Sequence, residues 1–231
     1  MLVATAVPAE RDAVARAFPE PPAEVPLPGA VLHRIPGGPD LLAAGVGPAR
    51  AAASVAAALT VAALEHRPYT LVVSAGIAGG FQPAAPVGSL VVADAITAAD
   101  LGAETAEGFL PVTELGFGTV THRPPDGLVR QCAAATGAAA GTVLTVSTVT
   151  GTAARAGALR ERHPGALAEA MEGFGVAEAA ALHGTPVLEI RAVSNPVGPR
   201  DRAAWRIGDA LAALTTAFGK LAPVLESWRT A

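Results

Sequence analysis

The sequence predicts an α/β sandwich with a largely parallel or mixed β-sheet. Branched, apolar runs recur at Leu2 to Val7, Tyr69 to Ser74, Val87 to Ile96, Gly141 to Ser147 and Pro186 to Val193. Ala-rich stretches of helical period alternate with them, the pattern of strands with helices packed between. The Tyr69 to Ser74 run is apolar at its centre, as a strand buried on both faces is. With 231 residues, 51% of them apolar and 16% charged, the chain can bury one sizeable core, so a single domain over residues 1–231 is expected.

Leu2 to Val7 reads as the first strand and Ala9 to Phe18 as a helix stopped by Pro19. Glu10 therefore lies at a strand-to-helix junction, where its ordinary role is first-turn charge facing the helix dipole. Pro19 to Pro28 reads as an irregular crossing, followed by short strands near Ala30–Arg34 and Asp40–Ala44 around Pro36-Gly37-Gly38-Pro39. Gly45-Val46-Gly47-Pro48 opens a long helix, Ala49 to Glu65. Gly-x-Gly before a helix can hold an anion on free backbone N–H groups. As a dinucleotide fingerprint it fails, because Arg50 stands where the third glycine belongs.

The strand from Tyr69 is expected to end in Ala75-Gly76-Ile77-Ala78-Gly79-Gly80, small residues that admit a ligand or make a tight turn. Residues 98–125 are polar, Gly-rich and poorly periodic, and read as a long loop. A helix over Asp126 to Thr136 and a short helix ending at Leu159 to His163 flank the strand at Gly141. Met171-Glu172 opens a further helix whose small residues, Gly173, Gly175 and Ala177, are expected to lie close to a ligand. The strand from Pro186 should stop at Ser194-Asn195-Pro196, and strand C-termini are where α/β folds hold ligands. Glu189 and Arg191, two residues apart on one face, read as a structural pair. Arg202 to Trp228 reads as one long terminal helix.

A net charge of -4 offers no basic field for phosphate backbones, so a small molecule is expected as partner and nucleic acid is not. The single cysteine, Cys132, reads as a small buried side chain and fits a reducing compartment. Five scattered histidines give no metal-ligand spacing, and no cofactor is called for. Neither a signal peptide nor an apolar run of about 18 residues is present, so no membrane contact and a cytoplasmic location are expected.

Ala43-Ala44-Gly45-Val46-Gly47, Ser74 to Gly80, Val87-Gly88-Ser89-Leu90-Val91-Val92, Met171-Glu172 and Arg191-Ala192-Val193-Ser194-Asn195 together resemble the nucleoside phosphorylase/nucleosidase superfamily, with the general pattern of the methylthioadenosine/adenosylhomocysteine nucleosidases. The resemblance covers nearly the whole chain. It implies a three-layer αβα sandwich around a central twisted mixed sheet, usually a homo-oligomer, that cleaves an N-glycosidic bond. By motif, Glu10 matches the carboxylate that activates water, and Met171 and Glu172 lie under the ribose with Glu172 on its hydroxyls. Val149 and Thr150 match positions beside the base, and Val46, Gly76 and Ile77 belong to the matching pocket loops.

Asn195 departs from the nucleosidases, which carry aspartate after the serine. A protonated aspartate suits adenine; an asparagine amide can donate to N7 and to an O6 oxygen, which suits a 6-oxopurine. An amide releases no proton at neutral pH, so help for the leaving group must come from hydrogen bonds or from Asp201, whose ordinary role is to cap the following helix. Trp205 matches an aromatic residue that closes over the ribose 5′ group, and Arg200 could reach a carboxylate there. With Ser194 to Asp201 and Trp205, the chain resembles the futalosine hydrolase family, which releases hypoxanthine and dehypoxanthine futalosine from futalosine in menaquinone biosynthesis. Alternatives at this point are a methylthioadenosine-type nucleosidase, a phosphate-dependent phosphorylase and a nucleoside sensor without turnover.

Overall fold

The computed structural model describes residues 1–230, so the last residue of the expected domain lies outside them. From the N-terminus the chain forms β1 (Leu2–Thr5), α1 (Pro8–Ala15), β2 (Ala23–Leu27), β3 (Ala30–Arg34), β4 (Asp40–Ala43), α2 (Pro48–Leu64), β5 (Val72–Gly80) and β6 (Leu90–Ala98). There follow β7 (Gly102–Thr105), β8 (Gly108–Pro111), β9 (Thr121–His122), α3 (Asp126–Thr136), β10 (Ala139–Thr145) and α4 (Ala153–Arg162). The last third holds β11 (Ala166–Ala170), α5 (Gly173–Leu182), β12 (Val187–Pro196), a 3-10 turn (Arg202–Ala204) and α6 (Ile207–Thr230).

The main sheet runs β11-β10-β6-β12-β5-β1-β4-β3-β2 and is mixed: β12 is parallel to β5 and antiparallel to β6. Strand alternation sends successive side chains to opposite faces. Leu2, Ala4 and Val72 join a core with α2 and α5, whereas Val3, Val73 and Ala75 join one with α1, α3 and α6. Two helical layers therefore enclose the sheet, as a three-layer sandwich requires. The far end of β5 also pairs antiparallel with β11, Glu169 opposite Gly79 and Ala168 opposite Gly80, so β11, β10, β6, β12 and β5 close into a ring.

Several expectations need correction. The Pro-rich crossing contains β2, where Pro26 is tolerated because β2 is the sheet's outer strand and needs no further N–H. Residues 98–125 are not a bare loop: β7 and β8 form a hairpin and β9 pairs with β6. Neither β5 nor β12 stops where its small or polar residues begin, because each finds a partner in the other through Gly80 and Pro196, across a register shift at Ser194. The terminal helix starts later, since Trp205 is extended (φ -73, ψ 130) and separates the 3-10 turn from α6.

Candidate active site

A cavity of about 230 Å³ opens where β1, β4, β5, β10, β11 and β12 end. Its walls include Glu10, Val46, Ile77, Val149, Thr150, Met171, Glu172, Asn195 and Trp205, all expected from the sequence. Gly76 lies behind the wall rather than in it. A Cβ there would come 2.6 Å from Glu10 Oε1 and 2.7 Å from Arg191 Nη1, so its missing side chain makes room for two charged groups.

Glu10, at the third position of α1, is 4% exposed. The backbone N–H groups of Ala6 (2.9 Å) and Val7 (3.3 Å) donate to Oε2, and that of Ile77 donates to Oε1 at 2.8 Å. Burial pushes its carboxyl above the ordinary range, with Arg191 and the Ile77 N–H pulling it back. First-turn charge is thus only part of its role: the carboxylate faces the cavity and straps β1 to β5.

Glu172 caps α5. The N–H of Gly47 donates to Oε1 at 3.1 Å, and that of Met171 to Oε2 at 3.3 Å. The anion held by the Gly-x-Gly turn is accordingly this side chain. Beneath it Arg191, 1% exposed, donates from Nε to Glu189 Oε1 at 2.8 Å and from Nη2 to Ser74 Oγ at 3.1 Å, and its Nη2 lies 3.6 Å from Glu172 Oε2. The Glu189–Arg191 pair exists, but Arg191 also balances the site's carboxylates. Desolvation works to lower its pKa and is outweighed by Glu189, Glu172 and Glu10, which raise it. Burial raises the Glu189 carboxyl, whose Oε2 has no hydrogen-bond partner. The small residues of α5 serve this packing: a Cβ on Gly173 would strike the Glu189 carboxylate, and one on Gly175 the Pro48 carbonyl.

On the opposite wall the Ser194 hydroxyl donates to Asn195 Oδ1 at 2.9 Å, while Asn195 Nδ2 donates to the Pro196 carbonyl at 3.0 Å. Arg206 N–H donates to the Ser194 carbonyl at 2.8 Å and so holds Trp205 against this strand end. The guanidinium carbons of Arg200 and Arg202 lie 5.2 and 5.7 Å from the Trp205 ring centre. Arg200 reaches the cavity only through that ring. Asp201 does not reach it: exposed, it accepts from Ala203 N–H at 3.1 Å, which corrects its expected place among the site residues and leaves its capping role.

Sequence reasoning missed Glu169. It is 4% exposed, lines the cavity, and takes the Thr150 N–H at 2.8 Å and the Thr150 hydroxyl. It lies on β11, whose Ala-rich run carries no strand signature, although a charged residue stands two before Met171. Among the described residues no group of acidic, His or Cys side chains is arranged to hold a metal, and no helix is long and apolar enough to cross a membrane.

The model of the phosphorylase superfamily matches residues 2–226. A futalosine hydrolase from Streptomyces coelicolor is 82% identical over 229 residues, covering 99% of this chain and 97% of that protein. One from Acidothermus cellulolyticus is 46% identical, covering 95% and 89%. The solved structure of Helicobacter pylori futalosine hydrolase superposes with a TM-score of 0.78 at 16% identity, covering 96% and 97% of the two chains, and confirms the fold. Sequence, sheet order and cavity agree, and the chain belongs to the phosphorylase superfamily and, within it, to the futalosine hydrolases.

Proposed function

We propose that the chain is a cytoplasmic, single-domain N-glycosyl hydrolase that releases hypoxanthine from futalosine, leaving dehypoxanthine futalosine for menaquinone biosynthesis. The observation that carries this reading is the Asn195 amide: its oxygen accepts from Ser194, which fixes the amide's orientation, and one hydrogen goes to the Pro196 carbonyl, so the other hydrogen is left for a purine acceptor. N7 is an acceptor in both bases, so position 6 decides: O6 of a 6-oxopurine accepts that hydrogen, whereas the exocyclic amine of adenine presents donors to it. Glu10 holds the water that attacks C1′ and takes its proton. Glu172 binds the ribose hydroxyls and faces the positive charge that develops as the bond to the base breaks. Asn195 steadies the departing base, and Trp205 with Arg200 and Arg202 suits the benzoate end of the substrate.

Water is a better nucleophile here than phosphate, because the cavity wall carries carboxylates and neither Lys nor Arg among the described residues. Incubation with futalosine, inosine and methylthioadenosine, each with and without phosphate, should give hypoxanthine from futalosine regardless of phosphate. Adenine from methylthioadenosine would defeat the argument from Asn195, and a requirement for phosphate would make the protein a phosphorylase. Glu172→Gln should lower kcat/KM by at least about 100-fold; full activity in that variant would remove Glu172 from the mechanism.

A homo-oligomer belongs to the same proposal. Thr60 of α2 meets His183 just after α5 at 3.4 Å, and beside them Leu64 and Leu182 are 75% and 81% exposed. Two large apolar side chains at one end of a helix pair favour burial against another subunit. Light scattering on the purified protein should give a multiple of 22.9 kDa, and a monomer would refute it.

A further inference from the structure

We propose that Glu169 reads the purine: its carboxylate accepts the N1–H of a 6-oxopurine and, with Asn195, sets the preference for hypoxanthine over adenine. The inference rests on the functional reading above and adds the residue that selects the base.

A carboxylate 4% exposed needs a reason to be buried, and Glu169 has no cationic partner within ion-pair distance among the described residues. What it has is Thr150, whose N–H donates to Oε1 and whose hydroxyl donates to Oε2. A backbone N–H can only donate, so Oε1 is fixed as an acceptor. Burial pushes the Glu169 carboxyl upward and the two Thr150 donors pull it back. Each oxygen keeps a lone pair, and the residue lines the cavity. The water-activating and ribose-binding carboxylates are already assigned, so this third one is left without a task.

Its position supplies the task. Glu169 on β11 stands opposite Gly79 on β5, and Gly79 stands opposite Asn195 on β12. Residues opposite one another in a ladder share a face. Gly79 brings no side chain to the middle of this row, where Val197 packs instead: a Cβ on Gly79 would lie 2.9 Å from Val197 Cγ2 and 3.4 Å from Asn195 Nδ2, and these three residues line the cavity with Glu169. A flat base in the cavity can thus lie along the Gly79–Val197 wall with an amide donor on one flank and a carboxylate acceptor on the other. Hypoxanthine presents O6 to the remaining Asn195 hydrogen and N1–H to the acceptor. Adenine would set its amine against the Asn195 N–H and its N1 lone pair against the carboxylate, leaving both protein groups mismatched.

The test compares wild type and Glu169→Gln on futalosine, N1-methylfutalosine and the adenine counterpart of futalosine. Glutamine retains an acceptor for Thr150 N–H. On futalosine kcat/KM should fall on the order of 100-fold, whereas on the N1-methyl substrate, already poor, the two enzymes should differ by no more than about threefold. Preference between futalosine and its adenine counterpart should move toward adenine. Equal losses on all three substrates would mean that Glu169 only props Thr150, and unchanged futalosine kinetics would equally overturn the proposal. Wild-type enzyme gives an independent measurement should the variant fail to fold: hypoxanthine should inhibit at least about 100-fold better than 1-methylhypoxanthine, and equal inhibition defeats the idea. A wild-type protein that releases no hypoxanthine from futalosine overturns the functional reading itself, and the base-reading role with it; normal wild-type turnover with an indifferent variant overturns only the role of Glu169.

Discussion

Replacing Glu10 by glutamine is expected to lower kcat/KM on futalosine by roughly 10²- to 10⁴-fold, the usual contribution of a positioned general base, while the protein stays folded. The amide keeps an oxygen for the Ile77 N–H but cannot take the proton of the attacking water. It removes the cost of a buried charge but turns its NH2 group toward the Ala6 and Val7 N–H donors, two opposing effects that should leave the protein folded. The same burial sets the pH dependence. The folded carboxyl sits above its ordinary value of 4.5, so on acidification activity should fade at a higher pH than an exposed glutamate would give. For stability the sign is opposite. The folded form binds the proton more readily than the unfolded chain, so the Glu10 contribution is full below the unfolded pKa and is lost as pH rises through the folded one. Rate should thus fall in acid with no loss of Tm from this group. Profiles of kcat/KM and Tm against pH check both statements, and an acid limb at or below the ordinary carboxylate range would refute the assignment.

Arg191→Met should be the most damaging single change to stability, costing about 3–5 kcal/mol as expected when one member of a buried charged set is removed. For 231 residues that is a fall in Tm of roughly 6–20 °C. The variant strands Glu189, which is 0% exposed and has no other charge partner within ion-pair distance, and leaves it beside Glu172 and Glu10 with no neutralising cation. Adding Glu189→Gln to the same chain should restore much of the loss, because the amide needs no counter-charge. Thermal denaturation of the single and double variants measures this; a single variant with wild-type Tm, or a double variant no better than the single, would show that Arg191 does not neutralise the cluster.

Much of the architecture was legible because hydrophobic period and strand chemistry agree locally. Asp126–Thr136 and Ala30–Arg34 fall where the residues put them. Boundaries failed where a tertiary partner overrode local preference: Gly76 to Gly80 have poor strand propensity, yet stay extended along β12, with Gly79 and Gly80 also paired to β11. At the site, Glu10, Glu172, Asn195 and Trp205 were visible because each belongs to a recognisable local motif, and the structure brings all four to one cavity. Glu169 was not, since its meaning comes from Thr150, 19 residues earlier, and from Gly79 across a ladder. Arg191 was seen only as the partner of Glu189. Its reach to Ser74 spans 117 residues of sequence, which no spacing rule encodes.

The pairing of one β5 end with both β12 and β11 has a consequence for how the enzyme comes into being. Ser74 to Gly80 lie along residues 187–196, and Gly79 and Gly80 are also held by residues 166–170, so the pocket floor is framed only once the last third of the chain has been synthesised and docked. Glu10, made early, waits for a carboxylate and a guanidinium from that distant third. Contacts between segments so far apart in sequence form slowly, after local helices and hairpins. No half-built molecule holds the full charge cluster, and a nascent chain cannot cleave nucleosides before its fold is complete.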